Sequence, residues 1–270
     1  MPEGPEVRRQ ADRLHAVLAD QKAERVFFAF PELAEAAEAL TGRRVESVSA
    51  RGKAMLTTFE GGRVVYTHNQ LYGRWYVRKV GGEVRTRRQL RFEVQTSTHR
   101  ALLFSASTIE VLLEGELDHH PFISRLGPDP LSDPVQAIEA RFKDVRFAGR
   151  RLAQLLLEQE FVAGLGNYLR SEILHHARIA PTRRPKELSS PELRRLAKST
   201  YLMCNRSYEL GGITRPPSEA KRMKAAGQPR WNYRHYVFGR ARGRCPRCEE
   251  AIRKDTLAGR RLYWCSNCQA

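Results

Sequence analysis

The two ends of this chain hold the residues best suited to chemistry. Pro2 becomes the chain terminus once Met1 is removed, and a terminal proline is a secondary amine. An α-amino pKa near ~8, against ~10.4 for lysine, leaves a neutral fraction at physiological pH without burial. Such an amine can attack an aldehyde-level carbon and form an iminium ion, and the neighbouring Glu3 is of the type that supplies the accompanying acid or base. The same residues also read as an ordinary helix start, with proline early and acids in the first turn. At the other end, Cys245 and Cys248, then Cys265 and Cys268, form two CxxC pairs whose separation suits a tetrahedral four-thiolate zinc site. Sulfur fills every position, so the one Zn²⁺ expected is structural, and no organic cofactor is expected. Ile252, Leu257, Leu262 and Tyr263 are too few for a core, so the metal must hold this hairpin together.

Residues 3 to 19 must position the terminal amine. Val7, Ala11, Leu14 and Leu18 recur at helical spacing, with Arg8, Arg9, Asp12 and Arg13 between them, which predicts an amphipathic helix with a buried inner face. From about 25 to 105 the period falls to two, as in Leu90, Phe92 and Val94 alternating with Arg91, Glu93 and Gln95. Similar runs occur at 44 to 49, 54 to 59, 63 to 68, 74 to 79 and 101 to 105, which gives a β-sandwich or barrel-like sheet pair behind a leading helix. Residues 126 to 134, rich in proline, read as a linker. Helices are expected at 135 to 143, 150 to 162, 167 to 177 and 190 to 207, the last with Ser190 as N-cap and Pro191 at its first position. The fold class is therefore α+β, with domains at 1–125, 135–235 and a finger at 236–270. Cys204, in mid-helix, reads as a small buried apolar residue.

Two glycine turns stand out. In Ala163-Gly164-Leu165-Gly166-Asn167 the turn leads into a helix start whose free N–H groups suit a phosphate; a plain helix link capped by Asn167 is the other reading. In Thr256 to Arg261 a turn at Gly259 pushes Arg260 out from a hairpin tip, either into solvent or toward a phosphate.

Forty-seven Lys and Arg against thirty Asp and Glu give a net charge of +17, spread along the whole chain. A broad basic face on a folded body points to nucleic acid. A membrane is disfavoured by the lack of a long apolar run or a lipid-facing amphipathic stripe. The first twenty residues are charged throughout and hold no signal-peptide core, so a cytoplasmic location is expected, where cysteines bind metals before forming disulfides.

The opening MPEGPEVRR, the Gly52-Lys53 strand entry, the Gly164-Leu165-Gly166-Asn167 turn and the four-cysteine finger, in this order, resemble the formamidopyrimidine-DNA glycosylase and endonuclease VIII family. Gly4, His68-Asn69-Gln70-Leu71-Tyr72-Gly73, Phe28-Ala29-Phe30-Pro31 and Tyr263-Trp264-Cys265 are similar to its endonuclease VIII branch, which prefers oxidised pyrimidines. The resemblance implies a helix-two-turn-helix domain, and a monomeric bifunctional glycosylase and lyase acting on damaged or abasic double-stranded DNA in a bacterial cytoplasm. It implies that Pro2 attacks the sugar C1′ and that Glu3 protonates the ring oxygen. Lys53 would contact phosphate and assist proton transfer, and Arg260 would hold the phosphate and aid the second elimination. Arg261 stands where that branch has proline and could share the role. Asn167 matches a backbone contact and Arg125 a DNA contact, while Gln70, Leu71 and Tyr72 would fill the gap left by an extruded base, recovering part of the few kcal/mol that unstacking costs. Residues 212 to 232 do not resemble the family and read as a basic, proline-broken loop that orders on DNA.

Overall fold

The computed structural model describes residues 2–269. They form two compact units: Pro2 with Val7–Ser124, and Glu3–Glu6 with the residues from Arg125 on.

The first unit is a sandwich of two four-stranded antiparallel sheets. One has the order β1 (Arg25–Phe28), β6 (Leu90–Gln95), β7 (His99–Phe104), β5 (Arg74–Lys79). The other runs β2 (Val45–Arg51), β3 (Ala54–Phe59), β4 (Arg63–His68), β8 (Thr108–Leu113). Strand β8 was not anticipated; Thr108, Ile109 and Val111 are typical of strands, but the run sits past the last recognised alternation. The leading helix α1 (Gly4–Leu18) buries Val7, Ala11, Leu14 and Leu18, as its 4-3-4 spacing requires. Each such larger side chain contributes about 1.5–3 kcal/mol when fully buried. They join Phe59, Val65, Leu103 and the stacked rings of Phe28 and Phe92 in one core, and this fixes the direction in which the chain leaves the helix toward Pro2. A short helix α2 (Ala34–Leu40) packs on β1, and α3 (Glu114–Leu117) follows β8.

In the second unit, α4 (Val135–Lys143), α6 (Asn167–Ala177) and α7 (Ser190–Glu209) share a core that includes Ile138, Phe142, Phe161, Leu169 and Leu196. The helix expected over 150 to 162 shrinks to α5 (Leu152–Leu155). Leu152, Ala153, Leu155, Leu156, Phe161 and Val162 are all buried, so apolar residues surround the segment rather than striping one face, and the chain turns to bury them. Gln159 stabilises the turns: its Oε1 accepts from Gly164 N at 3.0 Å and its Nε2 donates to Leu165 O at 2.9 Å.

The cap of α7 is Ser189, not Ser190. Glu192 Oε2 accepts from both the Ser189 amide and hydroxyl at 2.8 Å, leaving Ser190 and Pro191 in the first turn. Asn167 likewise is the first residue of α6 and not its cap, which is Gly166.

The stretch 212 to 232 is also folded, contrary to the expected loop, with α8 (Pro217–Ala225) and the short α9 (Arg230–Arg234). Buried Arg215 anchors it through an ion pair to Glu219, a bond from its Nε to His235 O at 3.2 Å and the face of Tyr236. The C-terminal hairpin of β9 (Arg253–Leu257) and β10 (Arg260–Trp264) is not held by cysteines alone: Leu262 is buried in the helical core, with Leu257 and Trp264 packed beside it. No helix among the described residues is long and apolar enough to cross a membrane.

Candidate active site and metal centre

Glu3 is buried, and its carboxylate crowns the start of α6. Oε1 accepts from Tyr168 N at 2.9 Å and Oε2 from Leu169 N at 3.3 Å, two of the donors that a helix start leaves without intrahelical partners. The glycine turn makes this approach possible. A Cβ at Gly166 would lie 2.4 Å from the Glu3 carboxyl carbon, and one at Gly4 would lie 2.8 Å from Gly164 Cα. Gly4 N also donates to Gly164 O at 2.7 Å. The helix start that sequence offered to a phosphate is therefore taken by Glu3.

A second carboxylate, missed from sequence, lies one turn further on. Glu6 Oε2 accepts from Glu3 N and from the Tyr168 hydroxyl, both at 3.1 Å, and Glu6 faces Arg234 at 3.5 Å. Burial first, then the charges of Glu6 and Glu3, hold the Tyr168 phenol far above its usual range, so it stays a donor. Ser207, 2.7 Å from the same oxygen, completes the chain of hydrogen bonds.

Asn167 and Arg260 meet through a residue that sequence reasoning also missed. Arg170 is fully buried on α6, and its Nη2 donates to Asn167 Oδ1 at 2.7 Å, to Arg261 O at 3.1 Å and to Arg260 O at 3.3 Å. Its Nη1 donates to Ala153 O at 2.9 Å and Leu257 O at 3.2 Å. Burial, followed by the charge of Arg260, lowers its pKa to about 10, which leaves it cationic at neutral pH. Arg260 and Arg261 themselves are exposed at the hairpin tip, where Ala258 and Gly259 take positive φ of 53° and 68°. The partners of Arg170 are mostly main-chain groups far along the chain, so nothing in the local sequence of the helix marks it out.

In the same helix, buried Glu172 accepts from Thr214 Oγ1 at 2.5 Å, Tyr236 N at 2.7 Å, and Val237 N and Phe238 N at 2.9 Å each. One carboxylate thus satisfies four donors of the 214–238 segment.

In the first unit, Lys53 is buried rather than solvated, in the turn between β2 and β3 behind Gly52, whose φ is +58°. Ala54 pairs with His68, so Lys53 lies beside the end of β4. Burial first, and then the Lys53 charge, pull the His68 pKa below its usual value. The turn that follows presents Leu71 and Tyr72 to solvent, 63% and 68% exposed. Gln70 adopts φ +47°; its amide donates to Thr108 Oγ1 at 2.9 Å and accepts from Ser107 Oγ at 2.7 Å. Pro2 is half-buried in this unit, and Met1, whose removal would free its amine, lies outside the described residues. Arg125, where the second unit resumes, is exposed at the end of the turn Ile123–Arg125.

The four cysteine sulfurs lie within 4.8 Å of one another, with Cys248 to Cys265 at 3.4 Å and Cys245 to Cys268 at 3.8 Å. Tetrahedral Zn–S bonds of about 2.3 Å set the sulfurs roughly 3.8 Å apart, so this donor set fits zinc. His175 Nε2 stands 3.4 Å from Cys245 Sγ, and burial followed by the charge of Arg247 lowers the His175 pKa to about 3. With its proton on Nε2, the neutral ring would donate to the sulfur and orient it as a thiolate ligand.

Comparison with known proteins decides the family. The Formamidopyrimidine-DNA glycosylase N-terminal domain matches residues 1–107 and the Formamidopyrimidine-DNA glycosylase H2TH domain matches residues 126–216. Endonuclease 8 of Klebsiella pneumoniae (strain 342) is 42% identical over 271 residues, covering 100% of both chains. The chain belongs to the formamidopyrimidine-DNA glycosylase and endonuclease VIII family. It is a DNA glycosylase with abasic-site lyase activity. Endonuclease 8 of Escherichia coli (strain K12 / DH10B) is 41% identical, again over 100% of both chains. Lactococcus lactis Fpg (MutM) in complex with N7-benzyl-Fapy-dG DNA shares this fold at a TM-score of 0.82 and 21% identity, covering 99% of each chain. The same enzyme with abasic-site DNA gives 0.82 and 21%. This family fold accounts for the α+β architecture.

Proposed function

We propose that this enzyme excises oxidised pyrimidines from duplex DNA through a Schiff base on Pro2, and then nicks the strand by successive β and δ elimination. The Pro2 nitrogen bonds to C1′ as the glycosidic bond breaks, and the departing base takes up a proton. The Glu3 carboxylate takes the proton that the Pro2 nitrogen sheds on bonding and delivers it to the sugar ring oxygen, which opens the ring and leaves an iminium ion. Its positive charge acidifies C2′; loss of that proton expels the 3′ phosphate. Loss of the C4′ proton then expels the 5′ phosphate, and water releases the amine. Lys53 contacts phosphate and assists proton transfer, and Arg260, with Arg261 beside it, steadies the phosphate of the second elimination.

The observation that carries this reading is the Glu3 carboxylate, held by two main-chain donors at 2.9 and 3.3 Å one residue from Pro2. Pyrimidine preference is supported by the Endonuclease 8 relatives at 42% identity. Gln70, Leu71 and Tyr72 are read as the wedge that enters the duplex, with Asn167 on its backbone and Arg125 as a further DNA contact. Cys245, Cys248, Cys265 and Cys268 would hold one Zn²⁺, which supplies structural cross-linking of the hairpin and no reactive position. We read residues 1–125 as the catalytic domain, 126–134 as a linker, 135–235 as the helix-two-turn-helix domain and 236–270 as the finger, in a monomer acting in the bacterial cytoplasm. Excision from duplexes carrying thymine glycol or 8-oxoguanine tests the preference. Faster release of thymine glycol is expected, and faster release of 8-oxoguanine would assign the purine-directed activity instead.

A further inference from the structure

The geometry points to Arg170 as a positioning residue that sets both Asn167 and the finger tip, and through the tip controls the second elimination step. This inference rests on the role given to Arg260 above. Its guanidinium spends Nη2 on the Asn167 side chain and on the carbonyls of Arg260 and Arg261, and Nη1 on Leu257 and Ala153. Three of the five acceptors therefore flank the Ala258-Gly259 turn, one on β9 and two on β10. The turn has two successive positive-φ residues and no buried side chain of its own, so nothing within it fixes its direction. A planar fork with fixed donor directions does so, which a flexible lysine cannot reproduce.

Burying a cation with five carbonyl or amide oxygens and no carboxylate among these partners is a costly way to hold a hairpin. Leu262 already fastens the hairpin to the helical core, and the four cysteines that would hold zinc lie beyond it in the finger. The extra element that Arg170 provides is alignment: the first residue of α6 and the first residues of β10 are tied to one rigid group. Asn167 Oδ1 is committed to Arg170, which leaves the amide NH₂ as the group it has to offer a DNA phosphate.

The test is product partition on duplex DNA with a single abasic site, comparing wild type with Arg170→Gln, Arg170→Lys and Arg260→Gln. Each product is counted per enzyme molecule trapped covalently by borohydride, so an unfolded fraction drops out. Arg170→Gln is expected to lower the ratio of δ to β product by about tenfold or more, as an angstrom-scale misplacement does, with trapping per folded enzyme unchanged. Arg170→Lys should fall between. If Arg260→Gln lowers the ratio while both Arg170 variants keep the wild-type value, the positioning role is wrong and Arg170 is only structural. If Arg260→Gln itself leaves the ratio unchanged, the reading of the finger arginine fails first.

Discussion

Replacing Gly166 by alanine displaces the Glu3 carboxylate without touching it chemically. Gly166 has φ −143°, an extended value open to any residue, so alanine brings no backbone strain there. The added methyl would lie 2.4 Å from Glu3 Cδ and 2.6 Å from Oε1, whereas ordinary contact begins at 3.4 Å. The carboxyl group must therefore retreat by about 1 Å, and an error of that size in a reacting group can cost on the order of 10²-fold in rate. Moving also stretches the bonds from Tyr168 N and Leu169 N, each worth about 1.5–3 kcal/mol for a charged acceptor. The expected loss in base release is on the order of 100-fold, or ~2.7 kcal/mol. Single-turnover excision of thymine glycol, which isolates chemistry from product release, measures it. A double-mutant cycle gives the decisive control, because both changes act through one carboxylate: Gly166→Ala should cost little in a Glu3→Gln background. A wild-type rate in Gly166→Ala, or the same loss in both backgrounds, would refute the reasoning.

Other parts of the account make separate predictions. Tyr72→Ala with Leu71→Gly should slow excision from paired duplex about tenfold or more, with little effect on a lesion in a single strand, where no stack needs filling; equal losses on both substrates would count against the wedge. Burial first, then Arg234, Arg230 and Arg215, hold His235 well below the usual histidine range, and burial, then Arg247, Arg206 and Arg178, bring His176 down to about 4. The unfolded chain binds these protons more readily, so their contribution is present above pH ~6.5 and lost on acidification toward 4, by up to ~1.4 kcal/mol per pH unit for each ring. Thermal midpoints should drop across that window and flatten in His235→Asn; a midpoint that rises on acidification contradicts the sign. Stripping the metal with a strong chelator should expose the 245–268 hairpin to trypsin, since zinc in isolated fingers contributes on the order of 10 kcal/mol of folding energy. Unchanged protease resistance would mean that Leu262 and Arg170 suffice.

What was legible in the sequence follows the physics of each signal. The α1 stripe of Val7, Ala11, Leu14 and Leu18 and the alternation through Phe92 and Val94 are periodic, one-faced patterns, and both elements fold as read. Periodicity fails where residues are buried on all sides, which is why the 150 to 162 segment was read as one helix and is mostly turn. The CxxC pairs announce themselves by spacing, and the four sulfurs do converge. Composition misled at 212 to 232: prolines and charges suggested a loop, yet Pro217 opens α8 and the charges of Arg215 and Glu219 are internal partners. Arg170 and Glu172 were invisible because their importance lies in main-chain groups far along the chain, which no local pattern encodes. Glu6 was seen only as an acid in a first helical turn, although its partners Tyr168 and Arg234 lie more than a hundred residues away.

The central claim is that the Pro2 imino nitrogen forms the covalent bond to DNA. Borohydride reduction of the complex with an abasic-site duplex, followed by proteolysis and mass spectrometry, locates that bond. The prediction is a sugar adduct on the N-terminal peptide at Pro2, absent when Met1 is retained or a tag precedes Pro2, with strand nicking lost in the same preparations. An adduct on a lysine, or full nicking by enzyme whose Pro2 is blocked, would contradict it.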